Sequence, residues 1–129
     1  MHSIVACALG NREQAYSYLK QSARLDLDDV NGNTGAGLHA ACMGGSWMLL
    51  INGYAGLRIY EGKLHFAPQL HDAWKSYTFK VHYRDCLLQV RVEKENTYYR
   101  LLRGERLCIY HNGNILEVSN TEIEVANAE

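Results

Sequence analysis

The apolar residues of this chain change period once, near Gly56, and that change limits its fold more than any other feature. Between Arg12 and about Arg24, Ala15, Tyr18, Leu19 and Ala23 recur at helical spacing. From Tyr77 onward the spacing becomes two: Tyr77, Phe79, Val81 and Tyr83 alternate with polar residues, and Leu88, Val90 and Val92 repeat the pattern. Helices first and strands after give a segregated α+β chain, with residues 1–56 helical and residues 57–129 β-rich.

The helical part divides at its own punctuation. His2 to Leu9 reads as a short apolar helix stopped by Gly10, and Asn11 with Gln14 three residues later reads as the next helix start. Asp28 to Gly37 holds three glycines, two asparagines and two aspartates, which excludes regular structure. Leu38 to Asn52 is the third expected helix. Its apolar positions Leu38, Ala41, Cys42, Trp47, Met48, Leu49 and Ile51 cover more than one face, so it is expected to be largely buried. Three helices with apolar surface on several sides cannot cover it against each other alone. They suit the closing helices of a larger helical assembly, or a surface through which copies self-associate.

The β-rich part is punctuated by turns. Leu57–Tyr60 and Leu64–Phe66 flank Glu61-Gly62-Lys63, a hairpin signal. Strands follow at Tyr98–Leu102, Leu107–His111, Ile115–Val118 and Ile123–Val125, with Asn112-Gly113 as a two-residue turn. About seven strands with polar turns indicate an antiparallel β-sandwich.

Composition excludes several function classes. The 129 residues carry a net charge of −1 with no basic run, so no nucleic-acid partner is expected. No apolar run approaches the ~20 residues of a membrane span. The opening Met1-His2-Ser3-Ile4-Val5 lacks a signal peptide's charged start and apolar core. Cys7, Cys42, Cys86 and Cys108 lack metal or redox spacing and read as buried thiols of a cytoplasmic protein. Six histidines show no paired spacing, and no metal or other cofactor is expected.

Glycine marks the best candidate site. Gly44 and Gly45 are consecutive inside the third helix, and each costs about 1 kcal/mol relative to Ala. Either another backbone comes very close there or a ligand does. His39 lies one turn earlier, at the helix start, where unpaired N–H groups attract anions. His39, Gly44, Gly45 and Ser46 are therefore candidates for a phosphate site; the plainer alternative is a packed histidine with glycines at a helix crossing. The acidic run Asp26, Asp28, Asp29, Asn31 and Asn33 fails as a calcium loop: anchoring its glycine on Gly32 puts Leu27 and Leu38 at the end ligand positions. Capping and turn roles are expected instead. Gly44-Gly45-Ser46-Trp47-Met48 also fails as a nucleophile elbow, because Met48 replaces the second glycine and no strand precedes it. Trp47, Tyr54, Trp74, Tyr77, Tyr83, Tyr98 and Tyr99 could stack on sugar, but their spacing makes most of them core.

Several ordered pieces carry a resemblance. They are Ala23–Asp29, Asn33-Thr34, Gly37–Ala41, Gly44–Trp47, Gly53–Arg58 and Leu64–Leu70, followed by Trp74. From about His2 to about His111 the chain resembles the end of glycoside hydrolase family 65, the disaccharide phosphorylases. The resemblance implies the last helices of an (α/α)6 barrel followed by a C-terminal antiparallel β-sandwich, from enzymes several times longer. It implies an inverting phosphorolysis of an α-glucosidic disaccharide to β-glucose 1-phosphate and glucose, with inorganic phosphate as co-substrate and His39 at its border. It also implies that the general-acid glutamate and the Lys-Gln residues of the phosphate site lie upstream of the matched part. No carboxylate of this chain corresponds to that acid, so the chain alone is expected to be inactive. Leu70-His71 and Arg84-Asp85 depart from the family's usual Leu-Pro and Arg-Gly, both in the β-rich part. The rival expectation is a non-catalytic β-sandwich module that binds sugar or a protein partner.

Overall fold

A computed structural model describes residues 2–127. The chain forms two compact units, Met1–Tyr54 and Ala55–Glu129.

The first unit holds α1 (His2–Ala8), α2 (Arg12–Arg24) and α3 (Ala40–Met48). Gly10 at φ 73° ends α1, and the Asn11 side chain accepts the Gln14 N–H at 3.1 Å to start α2. The Asn11 amide also donates to Gln14 Oε1, so this pair closes the helix start in both directions. Ser3 ties α1 to α2 by donating to the Ala15 carbonyl at 2.9 Å. The expected irregular stretch contains one 3-10 turn, Thr34–Ala36.

The third helix differs from expectation in extent and in burial. It begins at Ala40 rather than Leu38, with His39 as its cap. It then runs directly into a π-helical segment, Leu49–Tyr54, in place of ending at Asn52. The π-helical segment buries Leu49, Ile51, Gly53 and Tyr54, whereas α3 buries no residue. Leu38, Met43, Trp47 and Met48 are exposed. The apolar count of the segment was right, but its burial lies one helical segment later. The cysteines differ too: only Cys7 is buried, Cys42 and Cys86 are half-buried, and Cys108 is exposed on a strand face.

The second unit contains β1 (Arg58–Tyr60), β2 (Lys63–Phe66), β3 (Ser76–Tyr83), β4 (Cys86–Glu93), β5 (Asn96–Arg103), β6 (Leu107–His111), β7 (Asn114–Val118) and β8 (Ile123–Ala126). They make two four-stranded sheets, β1-β2-β6-β7 and β3-β4-β5-β8. The sheets are not wholly antiparallel: β2 pairs with β6 in parallel, Leu64 opposite Ile109 and Phe66 opposite His111. Glu61-Gly62 and Asn112-Gly113 form tight two-residue turns with all four φ angles positive, between 47° and 83°.

The inner faces meet around Phe66, Phe79, Tyr99 and His111. The Phe66 ring centroid lies 5.4 Å from Tyr99 and 6.5 Å from Phe79, joining a strand of one sheet to two of the other. His111 is buried on β6 and bridges the sheets. Its Nε2 lies 3.0 Å from the Ala126 carbonyl, which can only accept, so Nε2 carries the hydrogen. Its Nδ1 then accepts the Tyr99 hydroxyl at 2.8 Å.

Burial holds the His111 pKa below the ordinary histidine value, partly offset by the Ala126 carbonyl. Below about pH 6.5 the unfolded chain therefore takes up a proton that the folded chain refuses. This contribution to stability is complete above about pH 6.5 and declines as the pH falls toward the lowered folded value. His111→Asn lacks the titrating group. The difference in thermal midpoint between wild type and this variant, followed in the near-ultraviolet tyrosine signal, is expected to narrow from pH 7.5 to pH 5.5.

Candidate functional site

The four residues predicted to meet phosphate all lie within two turns of the α3 start, but they do not share a face. His39 is the cap, with φ −82° and ψ 77°, values outside the helical region. Its backbone N–H donates to Asp26 Oδ2 at 2.7 Å, and its ring Nδ1 lies 2.5 Å from Asp26 Oδ1. The hydrogen bond from His39 is the main reason the Asp26 carboxyl sits below the usual carboxylate range. Asp26 lies in the turn after α2, so the helix that carries the glycines is anchored from a different part of the chain.

Ser46 turns toward α2. Its hydroxyl donates to the Cys42 carbonyl at 2.8 Å and lies 3.3 Å from the Ser22 hydroxyl. An anion at Ser46 would have to draw that hydrogen away from Cys42. At about 100° per residue, Gly44 falls on the far side of α3 from Ser46 and Gly45 about a quarter turn away. A Cβ at Gly44 or Gly45 would meet nothing within 4 Å, so no described part of this chain crosses there. The close crossing is at Gly53, where a Cβ would come to 3.3 Å of Cys7 Sγ and 3.7 Å of the Ile4 backbone.

The acidic run is used in pairs and turns. Asp28 forms a two-point ion pair with Arg24 at 2.5 and 2.7 Å, and Asp29 accepts the Thr34 N–H at 3.0 Å. The residue that the sequence reading did not single out is Asp26: in the sequence it is one of three nearby aspartates, and only the fold places it on His39. A cavity of about 370 Å³ beside α2, lined by Ser17, Lys20, Gln21 and Arg24 among others, contains none of the four predicted residues. Of the seven aromatics, Tyr77 and Tyr99 lie in the inter-sheet core, Tyr54 is buried in the helical unit, and Trp74 lies edge-on to Tyr77 at 6.0 Å. Tyr83 and Tyr98 are half-buried under Arg84 and Arg91, and Trp47 is exposed, so fewer are core than expected.

The helical unit and the two-sheet β unit each match a domain model of one and the same carbohydrate-active family. Residues 1–48 match the glycosyl hydrolase family 65 central catalytic domain, and residues 57–118 match the family 65 C-terminal domain. The chain belongs to glycosyl hydrolase family 65. It is 42% identical over 109 residues to an alpha,alpha-trehalose phosphorylase of Thermoanaerobacter brockii, covering 84% of this chain and 14% of that protein. It is 39% identical over 107 residues to a maltose phosphorylase of Bacillus subtilis, covering 83% of this chain and 14% of that protein. The solved structure of a "Putative kojibiose phosphorylase from human microbiome" matches 99% of this chain with a TM-score of 0.92 at 32% identity, over 19% of its own length. The chain thus spans about one seventh of the curated relatives it matches. No helix among the described residues is long and apolar enough to cross a membrane.

The open space beside the glycine pair gives a direct expectation. Because an added Cβ meets nothing, Gly44→Ala and Gly45→Ala should each stabilise α3 in this chain, by up to about 1 kcal/mol. Chemical denaturation followed by helical circular dichroism measures it. Destabilisation by either alanine would mean that the space is filled in solution.

Proposed function

We propose that this chain is part of a disaccharide phosphorylase, supplying one border of its phosphate site and its C-terminal β-sandwich. The remaining helices of an (α/α)6 barrel would cover the apolar face that α3 leaves exposed. The parent reaction is inverting phosphorolysis of an α-glucosidic disaccharide. A phosphate oxygen attacks the anomeric carbon from the face opposite the glycosidic oxygen, the glycosidic bond breaks, and a carboxylic acid delivers a proton to the departing sugar oxygen. The products are β-glucose 1-phosphate and glucose. The observation that carries the reading is the placement of His39. It caps a helix start, its ring is tied to Asp26 through Nδ1, and nothing among the described residues bonds to its Nε2. A donor at that atom, beside the partial positive charge of a helix start, suits a phosphate oxygen. Gly44, Gly45 and Ser46 follow within two turns and provide clearance and a hydroxyl rather than charge. Inorganic phosphate enters as co-substrate, no resident cofactor is invoked, and the proposed setting is the cytoplasm.

The isolated chain should release no glucose 1-phosphate from maltose, trehalose or kojibiose with phosphate, because it offers no acid for the leaving oxygen. Enzyme-like turnover by the purified chain would overturn that division of labour. Joined to the rest of a barrel, His39→Ala should raise the phosphate KM about tenfold or more while changing the disaccharide KM much less. An unaltered phosphate dependence in that variant would make His39 a packed residue only.

A further inference from the structure

One side chain holds His39 at two points. Asp26 Oδ2 accepts its backbone N–H at 2.7 Å, and Oδ1 meets its ring Nδ1 at 2.5 Å. The Asp26 side chain is 11% exposed and the His39 side chain 34% exposed, so the carboxylate lies inside and the ring reaches outward. An ordinary helix cap accepts N–H groups of the first turn from the cap residue's own side chain. Here a carboxylate 13 residues earlier takes the cap's own N–H and its ring as well. An ionised carboxylate can only accept, so the bond places a hydrogen on Nδ1 in either charge state of the ring. Without it, a neutral ring is free to carry its hydrogen on either nitrogen. Asp26 is kept ionised by the His39 bond, while Asp29 acts on it in the opposite sense. Arg24 is matched with Asp28, Asp29 accepts the Thr34 N–H, and α3 carries no charged residue.

The geometry points to Asp26 as a positioning residue for His39: it fixes both the backbone that starts α3 and the hydrogen on Nδ1, so that Nε2 is the atom presented to a phosphate oxygen. This rests on the phosphate reading of His39 given above. When the ring is protonated, the Asp26 charge balances it from one side and Nε2–H donates to the anion from the other, a charge-assisted bond in a fixed direction. Asp26 itself does not touch the phosphate.

The test uses the whole 129-residue chain with its histidines labelled with nitrogen-15. Long-range nitrogen–proton correlations report which ring nitrogen carries hydrogen, and titration with inorganic phosphate reports binding at Nε2. The neutral His39 ring is expected in the Nδ1–H form alone, and phosphate is expected to shift Nε2. Asp26→Asn keeps an acceptor for the backbone N–H but loses the charge; it should mix the two ring forms and weaken the phosphate response about tenfold. Asp26→Glu, which keeps the charge on a longer stem, should recover part of both. Unchanged ring form and unchanged phosphate response in Asp26→Asn would overturn the inference. If Asp26→Asn does not fold, Asp26→Glu decides alone, and a freely mixed ring there with full phosphate response is the overturning result. A wild-type ring locked at Nδ1–H that ignores phosphate overturns the phosphate reading instead, and with it leaves Asp26 a fold element only.

Discussion

Apolar surface without cover inside the chain is the constraint on which the rest of the structure depends. Leu38 is 67% exposed, Trp47 55%, Met43 52% and Met48 49%, and α3 contributes no buried residue. Fully burying a side chain of this size is worth about 1.5–3 kcal/mol. Four of them represent several kcal/mol, a large share of the roughly 5–15 kcal/mol that holds an ordinary domain together. The β-rich unit also leaves Ile59, Tyr60, Leu102 and Ile115 exposed, but it encloses a core of its own. Leu64, Phe66, Leu88, Val90, Val92, Tyr99, Leu101 and Ile109 are all buried, and the His111 bridge satisfies polar atoms across the sheets. The two units therefore differ in what their strands and helices enclose: the strands share an inner core, whereas α3 buries nothing within the described residues.

The β-rich unit was legible because its information is local. Alternation sets each strand's inner face, and Glu61-Gly62 and Asn112-Gly113 specify tight turns by their tolerance of positive φ. Each is read within a few residues. The parallel pairing of β2 with β6 was not legible, because it joins Phe66 to His111 across β3, β4 and β5 of the other sheet. Nothing near either strand encodes its partner. The helical unit failed in a related way. The apolar content of Leu38–Ile51 says that much surface must be covered, but not whether this chain covers it. The start of α3 was misplaced by two residues because its cap residue, His39, is held by Asp26, 13 residues away, and not by a neighbour.

The glycines separate two uses that look the same in sequence. Among the glycines of the helical unit, Gly53 is the one with a close neighbour, with Cys7 and Ile4 of α1 against it. Gly44 and Gly45 give up about 1 kcal/mol each of helix propensity and receive no contact in return from any described residue. A helix start that must be pinned by a distant carboxylate is consistent with that weakness: propensity does not hold the first turns of α3, and Asp26 does. Nothing among the described residues compensates for the glycine pair.

Charge decides how much of a phosphate site this segment can make. Its net charge is −1, and α3 from Ala40 to Met48 has no cation at all. The ring of His39 is already paired with a carboxylate, so in neither charge state of the ring do the two together carry a net positive charge. A helix start adds about half a unit of positive charge at most. These elements can orient a phosphate oxygen, because direction is what a fixed N–H and a helix dipole supply. They cannot by themselves neutralise a doubly charged anion, which takes lysine or arginine side chains at close range. Arg24, at the end of α2, is held by Asp28 in a two-point pair. Phosphate is therefore expected to meet His39 only weakly in this chain, and tight binding there would take cations from another part of the protein.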